Sequence, residues 1–135
     1  MHLISKKGSY GYTCLMSVRA IRGATQVEAN TAESIYAGVV ELLSEILSAN
    51  ALTPDDVISV LFTSSPDLNA AFPAAGAREV GFASVPLICA VEIDVPGALE
   101  RTIRVMAHVE TAASADSISH IYLHGAKSLR RDIAQ

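Results

Sequence analysis

The chain has 135 residues, half of them apolar and 18% charged, with a formal charge of −4. That length fits one domain with its own core. The acidic balance and lack of a basic run exclude a nucleic-acid partner, and no apolar run reaches the roughly 18 residues of a membrane span.

Residues 1–16 (MHLISKKGSYGYTCLM) follow neither the helix nor the strand period. They read as a disordered extension ahead of a single domain over residues 17–135, and they carry no signal peptide. Residues 17–24 read as the first strand. Asn30-Thr31-Ala32-Glu33 offers a capping box, with Asn30 as the cap and Glu33 three residues on. Behind it Ile35, Val39, Leu42, Leu43, Ile46 and Leu47 recur at helical spacing, which predicts a long helix over 31–49. Thr53-Pro54-Asp55-Asp56 predicts a brief helical turn, and residues 57–63 (VISVLFT) a strand ended by the turn residues Ser64 to Asp67.

Residues 73–80 predict a short helix carrying Arg78, and residues 85–93 (VPLICAVEI) a third strand. After a break at Asp94 to Gly97, residues 98–101 suggest a helical turn. Strands follow at 102–110 and 120–123, with a short helix or turn at 114–117 between them. The predicted order β-α-β-α-β-β-α-β is α/β in the broad sense: a mixed sheet of about five strands with one long and one or two short helices. One long helix covers one face of such a sheet. Several strands are apolar on both faces and the chain is thinly charged, so the second cover is expected to be another subunit.

Arg22 and Arg104 each sit in a segment that otherwise reads as buried strand. A guanidinium is charged at any working pH and is costly in an apolar sheet unless an anion meets it. Two of them predict a pocket for a small anion bearing carboxylates or phosphates. Alternation along 102–110 puts Ile103, Val105, Ala107 and Val109 on one face and Arg104, Met106, His108 and Glu110 on the other. Cys89 and Glu92 would face opposite sides of a regular strand, so a shared ligand requires a bulge or strand end between them. Cys14 and Cys89 make no metal spacing with each other or with His108, His120 and His124. Two lone thiols fit a reducing, cytoplasmic setting. The three histidines read as structural or surface residues.

The segments IRGATQVEANT, TSSPDLNAAFPAAGARE, VPLICAVEIDVPGAL, RTIRVM and HIYLHGAKSLRRD stand in this order over residues 17–132. In this the chain resembles the small monofunctional chorismate mutases of the AroH-like class. The resemblance implies a homotrimer with a pseudo α/β-barrel core and three active sites in clefts between subunits. It implies conversion of chorismate to prephenate in aromatic amino-acid biosynthesis, without cofactor or metal. It implies that Arg22 holds a substrate carboxylate and Arg104 the ether oxygen and adjoining carboxylate. Glu92 and Cys89 would meet the ring hydroxyl, and Tyr122 the carboxylate side. Phe72, Ala74 and Arg78 would come from the adjacent subunit, and Leu129 and Arg130 from a tail over the opening. The chain departs from the family pattern at Ala75, where a lysine can stand, at Ile88, which replaces a polar residue, and at Arg131, which replaces a proline. The segment Gly81-Phe82-Ala83 is about a residue short of that pattern.

An intramolecular rearrangement needs no nucleophile and no proton transfer, and the sequence shows no convincing nucleophile–base pair. Two other functions compete. One is a non-catalytic trimeric module that binds a small anion. The other is an imine or enamine deaminase on a similar trimeric fold.

Overall fold

The computed structural model describes residues 3–7 and 13–133. Among the described residues there are six strands: β1 Leu3–Lys7, β2 Thr13–Gln26, β3 Val57–Ser64, β4 Leu87–Val91, β5 Thr102–Thr111 and β6 Ile121–Leu123. The helices are α1 Ala32–Ala49 and α2 Pro73–Ala77, with 3-10 turns at Pro54–Asp56, Arg78–Val80 and Ala115–Ser117 and a longer 3-10 stretch His124–Ile133. The strands form one sheet in the order β1-β2-β5-β3-β4, and β6 pairs with β2 off this path. The β2–β5 and β3–β5 ladders are antiparallel, while β3–β4 and β2–β6 are parallel, so the sheet is mixed.

The central ladder is long because its sequences are. β2 and β5 pair without a register break from Ser17↔Thr111 to Gln26↔Thr102. β5 follows period 2: Ile103, Val105, Ala107 and Val109 are buried, Arg104 and His108 are exposed, and Met106 and Glu110 are half-buried. The buried side faces α1, which contributes Ile35, Val39, Leu42, Leu43 and Ile46 to a core shared with Ile21, Val60, Phe62, Ile103 and Val105. Gly23 lies under the helix, where an added Cβ would stand 2.9 Å from the Ile46 Cδ1.

The opposite face of the sheet is open. Leu61 pairs with Met106 on one side and Ile88 on the other. Leu61 is 40% exposed and Ile88 64%, so an apolar row crosses three adjacent strands without a cover from the described residues.

Several expectations are corrected. Asn30 is not the helix cap. Thr31 is, accepting from the Ser34 N–H at 3.1 Å. Asn30 instead holds the loop before α2, where its Oδ1 accepts from the Asn69 and Ala70 N–H groups at 3.0 Å each. Residues 98–101 make no helical turn. Ala98 donates to the Val95 carbonyl at 3.0 Å, and Arg101 enters the left-handed region at φ 49°. The third strand stops at Val91 rather than residue 93. Residues 1–16 lie partly outside the described residues. Within them Leu3–Lys7 pairs antiparallel with 13–17, and the first long strand begins at Thr13.

The short helix α2 lies close against α1 through Gly76. A Cβ there would stand 3.1 Å from the Tyr36 Cα and 3.3 Å from its carbonyl oxygen. Backbone cannot yield as a side-chain tip can, so Gly76→Ala is expected to destabilise the fold by about 1–3 kcal/mol. Thermal or urea unfolding at fixed protein concentration measures it, and an unchanged midpoint would show that the helices can separate freely.

Candidate active site

The site is built at one end of the open sheet face. Register sets Ala24 and Thr63 on either side of Arg104, and Arg22 beside Met106. β6 then adds Tyr122 next to Ala24. Arg22, Arg104 and Tyr122 thereby line one cleft of about 240 Å³, together with Gly23, Leu61, Thr63, Val105 and Met106.

Glu92 reaches the same place from the end of β4. Its N–H donates to the Ser64 carbonyl at 2.8 Å, continuing the pairing one residue past the strand. Its Oε1 accepts from the Thr63 Oγ1 at 2.6 Å and lies 3.3 Å from the Arg104 Nε. The Arg104 side chain is 47% exposed and that of Glu92 29%, so solvent screens the pair and it contributes little to stability. Arg104 and Glu92 also line a neighbouring cleft of about 630 Å³ walled by residues 93–100.

The turn before β5 fixes where Arg104 begins. The Asp67 Oδ2 accepts the Arg101 N–H at 2.9 Å, and the Arg101 Nε donates to the Val27 carbonyl at 2.9 Å. Burial pushes the Asp67 carboxyl up. Hydrogen bonds from Ser65 and the backbone, with the Arg101 charge, outweigh it and hold the carboxyl below its ordinary value. The Ser65 Oγ accepts the Thr102 N–H at 2.9 Å, which ties β5 to the loop after β3.

Behind Arg22 lies His120. Its Nδ1 accepts the Arg22 N–H at 3.0 Å, and its carbonyl accepts from the Arg130 Nη1 at 3.2 Å. The Arg130 guanidinium stands 5.1 Å from the Tyr122 ring centroid, within cation–π range. Burial, and then the charges of Arg22 and Arg130, lower the pKa of His120. Asn50 at the end of α1 holds the preceding residue, accepting from the Ser119 N–H at 2.8 Å and donating to its carbonyl at 2.9 Å.

The residues singled out in the sequence therefore fall into two groups within one chain. Arg22, Arg104, Glu92, Tyr122 and Arg130 gather at the open face. Phe72 and Cys89 line a different cleft of about 580 Å³ with Tyr36, Leu68 and Val91. Cys89 pairs in register with the buried Phe62 and packs against the core, so its side chain is on the helix side. The strand end does fall between Cys89 and Glu92, yet alternation keeps them on opposite faces. Ala74 is half-buried in α2, Arg78 is exposed at the start of its 3-10 turn, and Leu129 is half-buried in the C-terminal stretch. Sequence reasoning missed Thr63 and His120. Thr63 was legible, with Ser59, as a polar residue on the open face of an apolar strand. His120 gave no signal beyond lying just before a strand.

Fold and site define a small mixed α+β domain whose open sheet face carries paired arginines suited to a small anion. The chain belongs to the family described as chorismate mutase type I, which matches residues 18–133. It is 43% identical over 120 residues to the chorismate mutase AroH of Bacillus subtilis (strain 168), covering 88% of this chain and 94% of that one. It is 44% identical over 117 residues to the chorismate mutase AroH of Thermus thermophilus, covering 86% and 96%. The solved structure of a chorismate mutase from Clostridium thermocellum superposes with a TM-score of 0.79 at 53% identity, over 81% of this chain and 97% of that one.

Arg22 lines the cleft with a half-buried side chain that fills no core position. Arg22→Ala is therefore expected to weaken binding of a small dicarboxylate by about tenfold or more, since a charge-assisted hydrogen bond is lost. The melting temperature should stay nearly unchanged. Calorimetric titration and a melt together check this. Unaltered affinity would remove Arg22 from the site.

Proposed function

We propose that this chain is a chorismate mutase whose catalytic set is Arg104, Arg22 and Glu92. The observation that carries the reading is the meeting of Arg22, Arg104 and Tyr122 in one cleft, with Glu92 held 3.3 Å from Arg104 by Thr63. The substrate is a dianion with an enolpyruvyl ether and a ring hydroxyl. Arg22 takes one carboxylate. Arg104 serves the ether oxygen and the adjoining carboxylate with its planar fork. Glu92 accepts the ring hydroxyl proton in a hydrogen bond, which also orients the ring. Tyr122 and Arg130 support the carboxylate side.

The rearrangement breaks one C–O bond and forms one C–C bond within a single molecule, so electrons and atoms balance without a co-reactant. Catalysis has two sources. One is holding the flexible arm over the ring in a near-attack conformer. The other is a fixed cation where the ether oxygen becomes negative. The deaminase and pure binding readings gain nothing from the family and the relatives named above, which carry the chorismate mutase name.

The separation of the two residue groups supports a homotrimer with the site between subunits. Phe72 is 75% exposed, and with Ala74 and Arg78 it would complete the neighbour's cleft rather than its own. Leu129, next to Arg130, would close the opening. Cys89 would approach the ring hydroxyl only through a shift of the β4 end, since its thiol faces the helices. Leu61, Met106 and Ile88 would be buried against another copy. We place the enzyme in the cytoplasm, within aromatic amino-acid biosynthesis. Among the described residues no helix is long and apolar enough to cross a membrane.

Loss of chorismate absorbance, with prephenate identified as product, tests the activity. Light scattering is expected to give a trimer mass, and Ile88→Glu to break it. A stable monomer with full activity would overturn the shared site. Replacing Arg104 by citrulline is expected to cost about 3 kcal/mol of transition-state stabilisation, a factor of ~100 that falls on kcat. Lysine should restore only part of it, whereas Arg78→Ala should act on KM. Wild-type kcat in folded, trimeric Arg104→Lys would refute the assigned mechanism.

A further inference from the structure

We propose that neutral His120 is a positioning residue that sets both Arg22 and Arg130, through its Nδ1 and its backbone carbonyl respectively. The proposal rests on the chorismate mutase reading above and adds to it a residue that need not touch the substrate.

The argument begins with the outer edge of β2. β1 pairs along it at 13–17, and β6 pairs at Gly23–Thr25. Arg22 lies one residue before β6 begins to pair, so its N–H meets no strand carbonyl there. A part-buried N–H left without an acceptor is costly. The imidazole of His120, the residue just before β6, supplies the acceptor at 3.0 Å. Asn50 clamps Ser119 by two hydrogen bonds, so the ring is carried on a fixed stem. The carbonyl of the same residue receives the Arg130 Nη1 at 3.2 Å. One residue thus joins the strand that bears Arg22 to the C-terminal stretch that bears Arg130.

The chemistry fixes the protonation state. A backbone amide can only donate, so Nδ1 carries the lone pair and the ring proton sits on Nε2. An imidazolium has no lone pair to offer. The charged groups facing the ring are Arg22 from β2 and Arg130 from the C-terminal stretch, and with burial they lower its pKa. From α1 the neighbour is Asn50, which does not titrate, while the Glu41–His124 pair lies past the other end of β6. The ring is therefore neutral at pH 7 and gains a proton only below the ordinary histidine value of 6.5. A folded-state pKa below the unfolded one means that the unfolded chain binds the proton first. The contribution to stability is full above about pH 6.5 and is lost as pH falls toward the folded value. Protonation releases the Arg22 N–H, and the substrate-holding side chain loses its fixed origin.

Three proteins test this: wild type, His120→Asn and His120→Leu. Asparagine presents Oδ1 near the place of Nδ1 and does not titrate, whereas leucine presents no acceptor. At pH 7.5 the leucine variant is expected to raise KM for chorismate about tenfold with kcat within threefold, and asparagine to restore most of that loss. Wild-type KM should rise from pH 7 to pH 5 at nearly constant kcat, while the asparagine variant stays flat. A KM unchanged by leucine overturns the proposal. So does a wild-type KM that falls with pH, because the added charge would then be aiding the dianion. If the leucine variant does not assemble, the asparagine pH profile still decides. An arm without turnover reads the imidazole 15N shifts of the wild-type protein at pH 7.5. The Nε2–H tautomer is expected, and the Nδ1–H tautomer refutes the contact. Should wild type leave chorismate unchanged, the functional reading fails on that assay, while the tautomer decides His120 on its own.

Discussion

The rest of the structure depends on a sheet that has only one long helix to cover it. α1 buries one face, and the other is left with an apolar row and, at its end, two guanidinium groups. Arg104 keeps 47% of its side chain exposed in the single chain, so its charge is screened there. An ion pair between an arriving anion and either arginine would strengthen if water were excluded and the local dielectric fell. Fold and site are therefore joined at one place: the strand alternation that fills the core on one side delivers Arg104 on the other.

Much of this was legible because it rests on period and on special residues. The helix of residues 31–49, the two faces of β5 and the 3-10 turn at Thr53 to Asp56 follow from local pattern. There the Asp56 carboxylate accepts the Thr53 N–H at 2.9 Å. Arg22 and Arg104 also stood out, since each was out of place in its own strand, and both line one cleft. What stayed hidden depends on contacts between distant segments. Asn30 and Thr31 both suit a helix cap, and only the presence of the loop at Asn69 and Ala70 recruits Asn30 elsewhere. Residues 98–101 carry helix-forming side chains, yet Asp67 and the Val27 carbonyl draw Arg101 into a left-handed conformation. β1 has no period of its own and exists as an edge to β2.

The candidate site divides the same way. Arg22 and Arg104 were singled out by charge in an apolar setting, a signal that survives in one dimension, whereas Glu92 entered only through the resemblance. Thr63 and His120 act by hydrogen bonds across 29 and 98 residues of sequence, and those partners leave no mark on the local pattern. Cys89 stands apart. Its place beside the ligand came only from the resemblance, and the alternation of β4 turns its thiol to the helix side.

The chemistry accounts for the kind of residue gathered here. A reaction with no proton to move gains nothing from a base of tuned pKa, and a rearranging dianion gains most from cations that do not titrate. Arginine meets that need but brings a long, mobile side chain whose position must be fixed elsewhere. The bonds that fix it are accordingly made by neutral groups, a hydroxyl donor at Thr63 and a ring and carbonyl acceptor at His120. Thr63 restrains Glu92 against Arg104, and the His120 ring and carbonyl restrain the stem of Arg22 and the head of Arg130. The charged groups supply the field, and the uncharged ones keep it aimed.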